Sequence, residues 1–173
     1  MLLAVVLDLP ALAAAATDVE LELDRAGWGQ PLLTFAVTPA GVAPLTVGGD
    51  VLEVVRSLAP AGGLLLAGER LVAGVTEAGE EVLVTRTPGD RAVVDRRPPR
   101  HPVLALLRRT QGLPSRPTPH APPPGCSWED LRLLAASGAV DGLDPAAAEW
   151  MDADLFADWL VDVLGALGHP RGG

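Results

Sequence analysis

The 173-residue chain contains no Lys, Asn, Ile or Tyr, only two Phe and a single Cys. Each absence removes a class of chemistry. Without Lys there is no Walker-type loop, whose lysine reaches the terminal phosphates of a nucleotide, and no side-chain Schiff base. Cys126 alone forms no intramolecular disulfide. That fits a reducing compartment, and a cytoplasmic protein is expected. No apolar run approaches the ~20 residues needed to span a bilayer, so no membrane partner is expected. The missing residue types have AT-rich codons, whereas the abundant Ala, Gly, Pro, Arg and Val have GC-rich ones. The gene reads as that of a GC-rich bacterium, and a Pro- or Arg-rich stretch is correspondingly weaker evidence of function.

Catalytic signatures are also missing. There is no Gly-x-Ser-x-Gly pattern, and Ser57, Ser115, Ser127 and Ser137 have helix, loop, cap and helix-end explanations. Cys126 stands one residue before a cap, where nothing activates a thiol. A metal site needs several ligands at short, regular spacing. The candidates His101, His120, Cys126 and His169 do not supply it, since only His120 and Cys126 lie near each other in the chain. Gly48-Gly49 before Asp50 resembles an anion cradle, but the Asp50 carboxylate occupies the anion's place and reads as a helix cap. The reading is a chain without cofactor, metal or catalytic residues.

What is present is enough apolar residue, 49%, to build a core. The opening MLLAVVLDLPALAAAATDV has the look of a secretory leader, but it lacks a positive start and is broken by Asp8 and Pro10. It joins instead to a helical stripe of Leu9, Leu12, Ala16, Val19, Leu23 and Ala26, capped by Asp8 and stopped by Gly27. Glu20, Glu22 and Asp24 are expected to face water. Residues 32–38 read as a strand, followed by a Gly/Pro loop and a short helix from Asp50. Three more strands are expected at 63–75, 82–86 and 91–96, with Gly79 and Gly89 in the turns.

Pro102 opens a helix with Val103, Leu106 and Leu107 on one side and Arg108 and Arg109 on the other, closed by Gly112. Six prolines in residues 113–125 read as a polyproline-type connector. Ser127 with Asp130 starts another helix and Asp144-Pro145 a further one, with Asp152 either capping a last helix or sitting in a continuation of that one. Met151, Leu155, Trp159, Val163 and Leu167 then form a broad apolar face. The expected fold is α+β: an antiparallel sheet of four to five strands packed by helices from the N- and C-terminal parts. The expected organisation is a core at 1–112, a connector at 113–126, and C-terminal helices at 127–168 docked on the core.

Charge is segregated. Residues 1–85 carry a net −8, residues 86–116 a net +6, and residues 117–170 a net −8. The overall −9 argues against a nucleic-acid partner. Asp154, Asp158 and Asp162 form an acidic seam that is expected to be solvated, or else relieved by a basic partner or an internal Arg. Arg96, Arg97, Arg100, Arg108 and Arg109 are the candidate binding residues, since guanidinium groups recognise carboxylates and phosphates. No aromatic interleaves them, which leaves bases no stacking platform.

The stretch VELELDRAGWGQPLLTFAV, Val19 to Val37, runs from an amphipathic helix through a Gly-Trp-Gly-Gln-Pro turn into a strand. With RLVAGVTEAGEEVLVTR at 70–86, it resembles a family of uncharacterised actinobacterial proteins with a leading helix and an AGW-QP turn. The resemblance covers about a third of the chain and implies no activity. Trp28 is the remaining candidate binding residue there, either capping a groove or filling the helix–strand corner. The expected function is a non-enzymatic cytoplasmic interaction or accessory module, with another protein as partner and a homodimer open. The alternative is a small-molecule-binding or enzymatic domain with a pocket at the helix–strand corner.

Overall fold

The structure, a computed structural model, describes residues 6–29, 31–68, 70–87 and 91–168, without the side chains of 166–168. The leader-like residues 1–5, Gln30 of the AGW-QP turn, the Gly89 turn, the Leu167 side chain and His169 lie outside the described residues. The chain divides into two compact units, Met1–Leu113 and Pro114–Gly173.

In the first unit Asp8 accepts from the Ala11 N–H and starts helix α1, Leu9–Ala26, whose stripe of Leu12, Ala16, Val19 and Leu23 is buried. The strands are β1 Leu33–Thr38, β2 Gly41–Val47, β3 Gly63–Gly68, β4 Leu71–Thr76, β5 Glu81–Arg86 and β6 Ala92–Asp95, with helix α2, Val51–Arg56, between β2 and β3. They form one antiparallel sheet in the order β2-β1-β3-β4-β5-β6. The fold is α+β with six strands, against the four or five expected.

Both extra strands have a physical explanation. Residues 41–47 hold Gly41 and Pro44, which read as loop, but β2 is an outer strand, where a residue without an N–H is tolerated. Its register slips beside Thr34, and there the Thr46 N–H donates to the Thr34 hydroxyl at 3.1 Å. The single strand expected at 63–75 is a hairpin with a two-residue turn, Gly68 pairing Leu71. Arg70 takes the left-handed conformation (φ 66°), a place where Asn or Gly is the usual signal.

Helix α1 covers one face of the sheet, over Val37, Leu65, Ala67, Val72, Val82 and Val84. Two glycines let it approach. A Cβ on Gly63 would stand 2.9 Å from the Leu12 Cδ1 of α1, and one on Gly74 would stand 3.4 Å from the same atom and 2.6 Å from Leu65 Cδ2 on the neighbouring strand. Helix α3, Pro102–Thr110, packs on β3, β4 and α2. Its last turn is tied down by polar groups: Thr110 donates to the Val55 carbonyl, and the buried Gln111 amide donates to Ala61 and Val75 and accepts from the Ala61 N–H.

Glu20 is not solvated as expected: it is 1% exposed. It lies four residues beyond Ala16, on the buried flank of α1, and meets Arg86 at the end of β5. Arg86 Nε donates to Oε1 at 2.5 Å and Nη2 to Oε2 at 3.1 Å, a two-pronged pair that also approaches Asp24 at 3.5 Å. The Glu20 hydrogen bond is the main cause holding the Arg86 pKa above its usual value. Glu22 stays exposed, paired with Arg25.

The second unit contains helices α4 Trp128–Ala136, α5 Pro145–Trp150 and α6 Ala153–Gly168. Ser127 and Asp130 form a reciprocal capping box, and Asp144 and Asp152 cap α5 and α6. Met151, Leu155, Phe156 and Ala157 are buried, whereas Leu164 is exposed. The acidic seam is also not simply solvated. Asp154 accepts from the Thr118 N–H at 2.8 Å, Asp158 from the Thr118 hydroxyl at 2.7 Å, and Asp152 from the Ser115 N–H at 3.0 Å. The proline-rich segment is thereby strapped to α6, and only Asp162 of the seam is exposed.

Candidate functional site

The basic band separates into an inner and an outer part. Arg108, on the last turn of α3, points back to the β4–β5 turn. Its guanidinium donates to the Gly79 carbonyl at 3.0 Å and to Glu81 at 3.4 Å, with both charged side chains largely buried. Arg100 and Arg109 are half-buried and have interactions of their own. Arg96 and Arg97 are exposed, on the segment that leaves β6, and the Arg97 N–H donates to Asp95. Arg91, just before β6, is exposed as well.

Between these arginines β6 carries Val93 and Val94, 62% and 38% exposed. Among the described residues, no strand pairs with its outer edge. The sequence reading singled out Arg96 and Arg97 but missed the valines, because a short apolar strand gives no hint that it will be outermost.

A second feature lies on the sheet face away from α1. A cavity of about 430 Å³ opens among the β3–β4 turn, the residue before β1, and the N-terminal ends of α2 and α3. Leu32, Val51, Leu66, Leu71, Val103 and His101 line it, and Gly49 and Gly68 contribute no side chain to the space. His101 has a structural task here: its Nδ1 accepts from the Val103 N–H at 3.2 Å and caps α3. Burial pushes its pKa below the usual imidazole value.

Trp28 lies elsewhere. It is half-buried against the core under α1, with its indole N–H on Asp24 at 3.3 Å, and is not among the residues that line the cavity. The remaining metal candidates stay apart: His120 is 4.0 Å from Asp158, and the Cys126 thiol donates to the Pro123 carbonyl. Among the described residues no three His, Cys, Asp or Glu gather to hold a metal, and no helix is long and apolar enough to cross a membrane. No protein-family model, curated protein or solved structure matches the chain.

Proposed function

We propose that the chain is a non-enzymatic, cytoplasmic protein–protein interaction module whose partner offers an extended, acidic segment to the outer edge of β6. One observation carries this reading: two adjacent exposed valines on an outermost strand, bracketed by the exposed Arg91, Arg96 and Arg97. Scattered exposed apolar residues are ordinary, but an uncovered strand edge is a template for a further strand. Main-chain hydrogen bonds give such pairing its affinity, and alternate side chains give it selectivity. Here the side chains favour a segment alternating carboxylates with apolar residues. A second copy of this chain would set arginine against arginine along the same edge, which opposes homodimerisation there.

The test is fluorescence anisotropy of a labelled peptide alternating Glu and Val, titrated with the full chain. Saturable binding that weakens with salt is expected. Binding about tenfold weaker is expected for Arg96→Gln/Arg97→Gln, and a comparable loss for Val93→Asp. No saturation with the native chain, or equal binding by both variants, defeats the proposal. Tighter binding to a single-stranded RNA of equal charge would replace it with a nucleic-acid role.

A further inference from the structure

We infer that the cavity beside His101 is a binding site for a small, uncharged, largely apolar molecule carrying one hydrogen-bond acceptor, such as a ketone or an ester. Its volume, about 430 Å³, is within the ~300–1,000 Å³ typical of ligand pockets. The walls are aliphatic, from Leu32, Val51, Leu66, Leu71 and Val103, and among the described residues no charged carboxylate or guanidinium lines it. The neighbouring Asp50 carboxylate is already engaged by the Leu52 and Glu53 N–H groups, so it would repel an anionic ligand and give a cationic one little in return. Both would lose hydration without recompense.

His101 supplies the polar contact. Because Nδ1 accepts the Val103 N–H, the neutral ring carries its proton on Nε2, which is then a donor. Among the described residues nothing accepts from that N–H. Burial keeps the ring in this neutral form at physiological pH. A pocket with one fixed donor in an aliphatic wall orients a molecule by its single acceptor, the usual arrangement of a small-molecule site. Among the described residues the lining offers no hydroxyl, thiol or carboxylate as a nucleophile or second base, which favours holding a ligand over converting it. This inference is independent of the β6 edge.

The experiment titrates 2-octanone into the full chain and follows the methyl groups by carbon–proton NMR. Saturable shifts confined to Leu32, Val51, Leu66, Leu71 and Val103 are expected. Octanoate and octylammonium should bind at least about tenfold more weakly, in line with the cost of burying a charge. Val51→Trp, at a half-exposed position, fills the space and should abolish the shifts, and Val103→Phe is an independent block should the first variant misfold. His101→Ser keeps a capping side chain but removes the Nε2 donor. It should weaken 2-octanone about fivefold, the worth of one hydrogen bond, and leave 1-octene unchanged. Shifts spread over surface methyls, no saturation, or unchanged binding in both blocked variants overturns the site. Octanoate binding as tightly as the ketone overturns its preference for an uncharged ligand, and equal weakening of both ligands by His101→Ser overturns the role of Nε2.

Discussion

The two units solve the same problem with different materials. In Met1–Leu113 the sheet ladder satisfies the backbone, so side chains are free to pack, and Leu64, Leu65, Leu66, Val72 and Val75 are fully or almost fully buried. Two ion pairs, Glu20 with Arg86 and Glu81 with Arg108, are set into that packing. In Pro114–Gly173 no strand ladder is present among the described residues. Six prolines in residues 113–125 offer no N–H, and donors remaining in the segment reach the side chains of Asp152 and Asp154. Burial there rests on Leu155, Phe156 and Met151 with small alanines around them. Acidic residues thus enter the packing of the first unit as partners of arginine, and in the second they recur as acceptors of backbone and hydroxyl donors.

If apolar burial is thinner in the second unit, its largest buried side chain should matter most. Phe156→Ala is expected to destabilise by about 4 kcal/mol, since truncating a buried Phe loses its transfer energy and leaves a cavity. Chemical denaturation of the full chain, monitored by Trp fluorescence, measures it. A loss below about 1 kcal/mol would mean that the site collapses around the gap, and that packing is not what sets the two units apart.

The Glu20 pair probes the opposite unit. Glu20→Ala removes the two-pronged partner of the Arg86 guanidinium, leaving the longer approach to Asp24, and should cost about 3 kcal/mol. The double replacement Glu20→Leu/Arg86→Leu should recover most of that loss, because a buried pair adds little over well-packed apolar groups of similar size. If the double variant is as unstable as the single, the pair is a specific stabilising element, not a tolerated one.

Next in size is the strap. Asp152 receives the Leu155 N–H as a helix cap and the Ser115 N–H from the proline-rich segment. Asp152→Ala removes both and should cost about 2 kcal/mol, of which the cap alone is worth about 1. Thr118→Val, which deletes the hydroxyl that donates to Asp158 and accepts from the exposed His120 N–H, should cost about 1 kcal/mol. Faster amide exchange at Ser115 and Thr118 in the first variant would locate the loss in the strap.

These contrasts also mark what could be read from the sequence. The helices announced themselves through caps: Asp8, Asp50, Ser127 and Asp144 each accept the N–H that the spacing foretold. The α+β class followed from strands clustered in the middle of the chain. Strand pairing was less legible. Outer strands obey weaker rules, so Pro44 was read as loop, and Arg70 bends the β3–β4 turn without the usual glycine. Charge misled at Glu20, expected to face water, while the internal pairing open for the arginine band and the acidic seam gave no hint of which distant residues would meet. Glu20 and Arg86 are 66 residues apart, Thr118 and Asp158 are 40 apart, and Arg108 reaches back to Glu81. The cavity left no linear signature at all, because its walls come from four separate segments and its one polar group looked like an ordinary residue before proline.

The smallest effect lies in the first unit, in its response to acid. Burial depresses the His101 pKa, so the unfolded chain binds that proton more readily than the folded one. Its contribution to stability is therefore complete above the unfolded value of about 6.5 and declines as pH falls, levelling off beneath the folded pKa. Protonation at Nδ1 also removes the acceptor of the Val103 N–H, which reinforces the decline. His101→Asn keeps a cap but does not titrate, and it should flatten this part of the stability curve between pH 7 and 5. An unchanged slope in His101→Asn would show that burial in the first unit's cavity wall is not what couples stability to pH here. Flattening by His101→Asn would tie the pH response to the cavity wall, with slower amide exchange at Val103 above pH 6.5 as the local sign.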